Sequence, residues 1–522
     1  MSKEKYRFMY KSESLQKSLT TVAKGATIVF IGLLAGKILG TVNQVILARF
    51  MGPEDYGRFN IVLSVVTIVF SISSFGMMGS LPRFIPYNLK LGRRDKARSV
   101  VDFSALFVFS ANILAAAIVF VFSGRIARDI FNDPQLEILL RVFSVGIPVI
   151  AVNRVAIGII RGFKSAKYDA LLFKIGTRVI NILVFLVFVA FGYRLYGAVI
   201  AFIIGALITS IIAIWLVKKK VFPDYSECSR VPVAGEIMKF TWPLALTGLM
   251  FIVLSKTDMM LLGYFLSSKE VGIYTPAIMI ARLMLFISMA FKYMFLPVVS
   301  EFFSHGDMDG LKSLYQSVSK WIMLTVLPMT IYFVVFPSGI LRILYGREYT
   351  EGNVALIILA VGVSINLLQG TSGNILIGGG YTKLNFLAEF FTAVANVILN
   401  IILIPVYGIL GAAIATSISY LLRNVCFVVF IYKTFNMHPY KRNYLNILLS
   451  SLVSFSLLLV LKNYLPITWW GTMIAAGIIL PALYMLLIIA TRSFDENDLF
   501  VLEGIERKFR IKLGFIKKFI RS

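Results

Sequence analysis

The chain has 522 residues, of which 58% are hydrophobic and only 15% are charged. A soluble domain usually carries about 25% charged residues. Lys and Arg total 52 against 26 for Asp and Glu, which gives a net charge of +26. This composition excludes an ordinary soluble enzyme, a disordered chain and a disulfide-rich scaffold. It predicts a single polytopic membrane protein.

The sequence contains fourteen apolar stretches long enough for a membrane-spanning helix, which needs about 20 residues. They are longer than the roughly ten-residue alternating strands of a membrane barrel and are apolar on all sides, so we expect helices. In chain order the predicted spans are 26–48, 59–82, 100–122, 138–160, 169–191, 196–217, 241–263, 272–298, 321–338, 353–377, 385–404, 409–432, 445–461 and 468–490.

The distribution of Lys and Arg predicts the orientation of these spans. With the N-terminus placed in the cytoplasm, the cytoplasmic segments hold 33 basic residues and the outer segments hold nine. This bias, together with the even number of spans, predicts that both termini are cytoplasmic in the cell membrane. Residues 1–25 are polar, so we expect no cleaved signal peptide. The basic, amphipathic tail 498–522 is expected to lie on the anionic inner leaflet, with a partner contact as the alternative.

The first half of the chain is repeated in the second. At an offset of 215 residues Asp55 matches Glu270, and the step from glycine to proline is 25 residues in both copies. The match continues to helices six and twelve with an offset of 214 to 216. Because six spans return the chain to the same side, both copies insert the same way round, as in transporters with parallel repeats.

The repeat predicts the fold class and the domains. We expect an all-α polytopic membrane protein of about 14 helices, with two six-helix lobes related by a parallel pseudo-twofold axis, a cavity between them and two extra C-terminal helices. The predicted divisions are a cytoplasmic N-terminal segment (1–25), an N-lobe (26–217), a cytoplasmic linker (218–240), a C-lobe (241–432), helices thirteen and fourteen (445–490) and a basic cytoplasmic tail (491–522).

Three segments carry a family resemblance. "ARFMGPEDYGRFNI" (48–61), "GIIRGFKSAKY" (158–168) and "TDMMLLGYFLSSKEVGIYTPA" (257–277) resemble the polysaccharide-transport branch of the multidrug/oligosaccharidyl-lipid/polysaccharide exporter superfamily, whose oligosaccharide flippases share the two-lobe organisation. The resemblance spans about residues 20–490. It implies a flippase that moves a polyprenyl-phosphate- or pyrophosphate-linked glycan from the inner to the outer leaflet. It implies membrane lipids and polysaccharide-assembly enzymes as partners, and a monomer.

Basic residues inside the spans are the predicted head-group site. Charges in a bilayer usually face the bundle interior or a watery cavity, and arginine and lysine bind phosphate there. Lys174 and Arg178 are four residues apart and share one face of helix five. Asn43, Gln44, Asn181, Asn366 and Gln369 are candidates for contacts with the sugars. The predicted head-group residues are Lys37, Arg83, Arg154, Lys174, Arg178 and Arg282.

Few acids lie deep in the spans, and two are assigned to coupling or charge balance. Asp258 either neutralises a cavity cation or carries a coupling ion, H⁺ or Na⁺, and Glu389 is expected to pair with Lys383 or an arginine. Arg423 either extends to a membrane interface or faces the cavity. With two cysteines and two histidines in the chain, no metal site, disulfide framework, cofactor or catalytic group is predicted. Nucleic-acid binding is not expected, since no soluble basic domain exists.

Two other transport functions stay open. A proton- or sodium-coupled multidrug or cation antiporter of the same fold would favour membrane-embedded carboxylates, but span 26–48 contains no acid, and Asn43 occupies the repeat position of Asp258. A flippase for a lipid II-type peptidoglycan precursor uses the same pyrophosphate-lipid chemistry and is not separated by the sequence. A membrane glycosyltransferase would need a large outer domain, and the longest predicted outer loop has about fifteen residues.

Overall fold

The structure is a computed structural model that describes residues 3–163, 165–222, 225, 227–441, 443–464, 468–491 and 493–494. The amphipathic tail 498–522 therefore lies outside the described residues. The part of the chain that is described is helical, with short turns and no strand. This confirms the all-α class.

The described residues form eighteen α-helices, with short π-helical or 3₁₀ segments between some of them. The helices are α1 (Lys3–Ser74), α2 (Met77–Lys90), α3 (Arg94–Arg125), α4 (Gln135–Gly162), α5 (Ala166–Tyr168), α6 (Thr177–Ala190), α7 (Leu195–Leu216), α8 (Ala234–Phe265), α9 (Ser268–Ala281), α10 (Leu285–His305), α11 (Met308–Val335), α12 (Pro337–Leu344), α13 (Asn353–Leu368), α14 (Ser372–Gly378), α15 (Thr382–Tyr407), α16 (Ile409–Phe435), α17 (Tyr444–Tyr464) and α18 (Trp469–Ala490).

Thirteen helical stretches in the described residues are long and apolar enough to cross a membrane. The chain is therefore a multi-pass membrane protein. The first stretch, Gly32–Ser74, holds the predicted span 26–48 from residue 32 onward and most of the predicted span 59–82. For this reason the count of fourteen membrane spans stays a prediction. The repeat layout of the helices also stays a prediction.

A glycine breaks the first long helix. Gly52 has φ 75° and ψ 172°, and it precedes Pro53 inside α1, so the two parts of α1 join at a break. Glycine accepts positive φ and proline cannot continue the preceding hydrogen bonds. Arg58 ties the break to the loop before α4, because its Nε lies 2.8 Å from Asp133 Oδ2 and its Nη1 lies 2.9 Å from Asp55 Oδ1.

The chain divides into two compact units. Unit 1 comprises Met1–Ile252 with Ser267–Lys269, and unit 2 comprises Val253–Leu266 with Glu270–Ser522. The division falls inside α8, so the first residues of the predicted C-lobe belong to unit 1. The lobe boundaries themselves stay predictions.

Within unit 1 the linker after α7 is fastened to the start of α3. The backbone N–H groups of Ser229 and Val231 donate to Asp95 Oδ1 at 2.6 Å and to Ser99 Oγ at 2.7 Å. The Tyr225 hydroxyl donates to Asp102. Burial, and next the bond to Asp102, raise the pKa of Tyr225 to about 12, so the phenol keeps the proton that it donates.

Candidate functional site

A glycine face of α1 brings two predicted head-group cations into contact with the first span. Gly32, Gly36 and Gly40 recur every four residues, and a Cβ at Gly36 would lie 3.0 Å from Lys174 Cβ. A Cβ at Gly40 would lie 3.8 Å from Arg178 Nε. Small residues at this spacing let helix backbones approach closely inside a membrane. The segment that carries Lys174 is π-helical (Asp169–Gly176) and continues directly into α6.

Arg154 on α4 adds a third cation to this part of unit 1. Its side chain is exposed although it lies inside the span Gln135–Gly162. Arg178 and Arg161 lie within electrostatic range of Arg154, and all three are positive. Neither Arg154 nor Arg178 forms an ion pair with any residue that the structure describes. Like charges at membrane depth are unfavourable unless water or an anion neutralises them, so this cluster is suited to bind an anionic group.

A carboxylate close to this cluster is already engaged. Asp169 Oδ1 lies 3.1 Å from Arg161 Nε, and Asp169 is also within electrostatic range of Lys174. The Arg161–Asp169 pair was not among the predicted site residues. We refer to Arg154, Lys174 and Arg178 together as the unit 1 cation cluster.

Two predicted head-group residues of unit 1 lie outside these contacts. Lys37 is exposed on α1, immediately after Gly36. Arg83, near the cytoplasmic end of the predicted second span, stacks on an aromatic ring instead, with its Cζ 4.0 Å from the centroid of Phe240. The structure thus brings Lys174, Arg178 and Arg154 together and gives Arg83 a cation–π partner.

Unit 2 contains a buried carboxylate in place of a cation cluster. Asp258 is 1% exposed and accepts hydrogen bonds from Tyr274 Oη at 2.8 Å, Thr416 Oγ1 at 2.8 Å and Asn400 Nδ2 at 3.1 Å. The donors come from three helices, α9, α15 and α16, so Asp258 on α8 joins four helices. Hydrogen bonds to a charged acceptor are stronger than bonds between neutral groups.

Cations surround this carboxylate at longer range. Arg282, in the 3₁₀ turn between α9 and α10, is within electrostatic range of Asp258, Tyr274 and Tyr420. Lys256, two residues from Asp258, has Arg282 as its charged neighbour. The observed geometry gives Asp258 the position of a counter-charge for Arg282.

A second polar cluster of unit 2 contains Glu389. It pairs with Arg423 on α16, whose Nη1 also donates to Asn366 Oδ1 at 3.3 Å. Asn366 Oδ1 accepts a further bond from Gln369 Nε2 at 3.1 Å. This ion pair holds the Arg423 guanidinium between α15 and α16, and the depth of Arg423 in the membrane stays a prediction. Glu389 pairs with an arginine, which was one of the predicted alternatives.

The other candidate sugar-binding residues mostly make hydrogen bonds to other groups of the protein. Gln44 Oε1 accepts a bond from Tyr56 Oη at 2.9 Å, and the Asn181 amide is oriented to donate to the Thr177 and Ala201 carbonyls of unit 1. Asn43 is 4% exposed, and its Oδ1 finds no hydrogen-bond partner among the described atoms. An unpartnered buried oxygen costs free energy.

Sequence reasoning missed the partners of Asp258, although the repeat contained a signal. At the offset of 215 residues, Asn43 becomes Asp258 and Phe59 becomes Tyr274. A carboxylate and a hydroxyl group therefore appear together in the second copy, and the structure shows them in contact. Asn400 and Thr416 have no comparable signal in the sequence.

Known proteins match this chain over most of its length. The family described as polysaccharide biosynthesis protein matches residues 46–354. The probable low-salt glycan biosynthesis flippase Agl15 of Haloferax volcanii is 25% identical over 77% of this chain and 82% of its own. The lipid III flippase of Escherichia coli is 25% identical over 79% of this chain and 97% of its own.

A solved structure shares the fold. The lipid II flippase MurJ in an inward closed conformation aligns with a TM-score of 0.70 and 19% identity, covering 89% of this chain and 99% of that protein. The helical architecture, the matched family and these relatives agree with the resemblance seen in the sequence. The chain belongs to the family of polysaccharide biosynthesis proteins, within the multidrug/oligosaccharidyl-lipid/polysaccharide exporter superfamily.

Proposed function

We propose that the protein is a flippase that moves a polyprenyl-phosphate- or pyrophosphate-linked oligosaccharide from the inner to the outer leaflet for polysaccharide or glycan biosynthesis. The family and the two flippase relatives support this function. The observation that carries it in this chain is the unit 1 cation cluster, which lies inside membrane spans without an acidic partner for Arg154 or Arg178 among the described residues.

The cluster suits a phosphate better than a drug cation. A pyrophosphate presents several oxyanions, which guanidinium forks and an ammonium group neutralise. We assign head-group binding to Lys37, Arg83, Arg154, Lys174, Arg178 and Arg282, with the glycan accommodated in the aqueous cavity of the lobes. The lipid tail stays in the bilayer throughout. Rocking of the two predicted lobes then exposes the head group to the outer side, as in other transporters with repeats.

The location proposed is the cell membrane, with both termini in the cytoplasm. The excess of Lys and Arg in the predicted cytoplasmic segments supports this orientation. The working unit is a monomer, and membrane lipids and polysaccharide-assembly enzymes are its partners. No nucleic acid and no resident cofactor belong to this function.

Asp258 is the proposed coupling residue. The side-chain oxygens of Asn396 and Asn400 are buried and lack hydrogen-bond partners in the described part of the chain, while Asn400 Nδ2 binds Asp258. Oxygen atoms of this kind are the ligands that hard cations prefer. This favours coupling to Na⁺ or H⁺ over charge balance alone. A flipping rate that is unaffected by sodium and proton gradients would leave Asp258 with charge balance only.

The alternative function is proton- or sodium-coupled export of drugs or other cations by the same fold. It requires embedded carboxylates that face a cationic substrate, and the predicted first span, 26–48, contains none. A lipid II-type precursor flippase remains a narrower version of the proposed function, since that substrate is also a pyrophosphate lipid.

The test is flipping in proteoliposomes with a fluorescent polyprenyl-pyrophosphate oligosaccharide. Arg154→Ala, Arg178→Ala and Arg282→Ala are compared with wild type and with Arg194→Ala, which removes an exposed cation from the loop before α7. We expect the three span variants to flip at least about tenfold more slowly, because each loses a charge-assisted contact, and Arg194→Ala to match wild type.

As a control, gel filtration and thermal unfolding show whether each variant is correctly folded. A wild-type protein that does not flip the glycolipid but exports a cationic dye in a proton or sodium gradient would overturn the proposal and establish the antiporter.

A further inference from the structure

A cavity of about 920 Å³ lies at one end of the helices of unit 2, away from the Asp258 contacts. It is bounded by the end of α11, by α12, by the 3₁₀ turn Arg347–Gly352, and by the facing ends of α17 and α18. The predicted topology places this end of the spans on the outer side. The volume lies in the range of small-molecule sites, about 300–1,000 Å³.

Three cations line this cavity and outnumber its acid. They are Arg342, Arg347 and Lys462, against Glu351. Lys462 Nζ donates to the Val335 carbonyl at 2.7 Å, so its amino group caps the C-terminal end of α11 at the cavity wall. The excess of positive charge predicts an anionic ligand.

The two arginines keep donors for such a ligand. Arg342 Cζ lies 4.6 Å from the ring centroid of Trp469, and stacking of this kind orients a guanidinium group without using its N–H groups. Arg342 and Arg347 are both exposed, and neither forms an ion pair with a described residue. A guanidinium fork matches the geometry of a carboxylate, sulfate or phosphate.

Neutral polar groups and an aromatic face complete the wall. Ser338, Thr350, Asn353 and Thr472 line the cavity, and Asn353 Nδ2 donates to Ser338 Oγ at 3.1 Å. Hydroxyl and amide groups of this kind bond to the many hydroxyl groups of a sugar. Trp469 is 44% exposed and offers a flat apolar surface on which a sugar ring packs.

We propose that this cavity is a binding site for an acidic oligosaccharide, one whose sugars carry a carboxylate, sulfate or phosphate group. The charges of Arg342 and Arg347 recognise the acidic group, and the hydroxyl groups and Trp469 recognise the sugar. The source of the ligand rests on the proposed function, because a flippase delivers its glycan to the side on which the predicted topology places the cavity. The site holds the glycan after translocation.

The test measures binding of a soluble ligand without flipping. The full-length protein in phosphatidylcholine nanodiscs is titrated with a galacturonic acid trimer and with the neutral trimer maltotriose. We expect the acidic trimer to bind at least about tenfold more tightly than the neutral trimer. We also expect its affinity to fall at high salt. The double variant Arg342→Gln/Arg347→Gln should remove this preference.

Arg194→Gln is the matched control, since it removes an exposed cation at a loop predicted to face the same side but far along the chain from the cavity. Equal binding of the two trimers, or unchanged binding by the double variant, would overturn the inference. Nanodiscs with added phosphatidylglycerol form a second arm. If the anionic lipid competes with the trimer for wild type, the cavity binds phospholipid head groups, and the glycan assignment is wrong.

The outcome is separable from the proposed function. If the protein flips the glycolipid but does not prefer the acidic trimer, only the proposed oligosaccharide site is refuted. If the protein binds the acidic trimer but does not flip the glycolipid, the proposed oligosaccharide site stands and the flippase function is refuted.

Discussion

Unit 1 and unit 2 both contain cations inside membrane spans but neutralise them differently. In unit 2, Arg423 pairs with Glu389, and Arg282 lies within range of Asp258. In unit 1, Arg154 and Arg178 form no ion pair with the residues that the structure describes, and the amide Asn43 replaces the carboxylate. Because charges at membrane depth need a counter-charge or water, Arg423 and Arg282 of unit 2 have acidic groups of the protein nearby, whereas Arg154 and Arg178 of unit 1 are available to a ligand.

One residue in each unit shows the contrast. Lys174 of unit 1 and Glu389 of unit 2 are 215 residues apart, close to the offset of the predicted repeat. The acid pairs with Arg423, whereas the lysine lies beside the glycine face of α1, within electrostatic range of Asp169 and Arg161, which pair with each other. The comparison contrasts a structural ion pair in unit 2 with a candidate anion site in unit 1.

The largest effect should follow from Asp258→Ala. This variant leaves Arg282 without its counter-charge and removes the acceptor of three hydrogen bonds, so we expect a loss of about 3–5 kcal/mol in the free energy of unfolding. Thermal unfolding in detergent measures it. Asn43→Ala at the repeat position is the control and should cost about 1 kcal/mol or less, because its Oδ1 has no partner among described atoms. Equal losses at both positions would contradict the comparison.

The next largest effect separates stability from transport. Glu389→Gln should destabilise the protein by about 2–3 kcal/mol, since it leaves the partly buried Arg423 unpaired. Lys174→Gln should change stability by less than about 1 kcal/mol, because it removes a charge without an ion-pair partner near another cation. Flipping should nevertheless fall in Lys174→Gln. The account fails if Lys174→Gln unfolds the protein as readily as Glu389→Gln does.

The smallest effect should come from the glycine face. Gly36→Ala adds a Cβ at 3.0 Å from Lys174 Cβ, which should shift the helix that carries the cations and cost about 1–2 kcal/mol. In Gly248→Ala the new Cβ meets open space in α8, so this control should be neutral or slightly stabilising. Unfolding temperatures and flipping rates of the two variants provide the readout. If Gly36→Ala changed neither the unfolding temperature nor the flipping rate, close packing of α1 against the segment that carries Lys174 would not be required.

Hydropathy predicted the spans well because it depends on composition over about 20 residues. The break at Gly52 was also predictable, since Gly-Pro has a local backbone cause. Local patterns do not show which side chains from distant helices meet. Asn400 and Thr416 reach Asp258 only through packing of helices separated by more than 140 residues in sequence. The same limit explains why the sequence did not identify Arg423 as the arginine that pairs with Glu389, which lies 34 residues away.

The central claim is that the unit 1 cation cluster binds the anionic head group. The most direct measurement is the shift in unfolding temperature of the full-length protein in detergent when a polyprenyl-pyrophosphate oligosaccharide is added. A ligand that binds the folded state raises this temperature. The account predicts a clear rise for wild type and none for a folded Arg154→Gln/Arg178→Gln double variant. An equal rise in the double variant would contradict the claim and place head-group binding elsewhere in the protein.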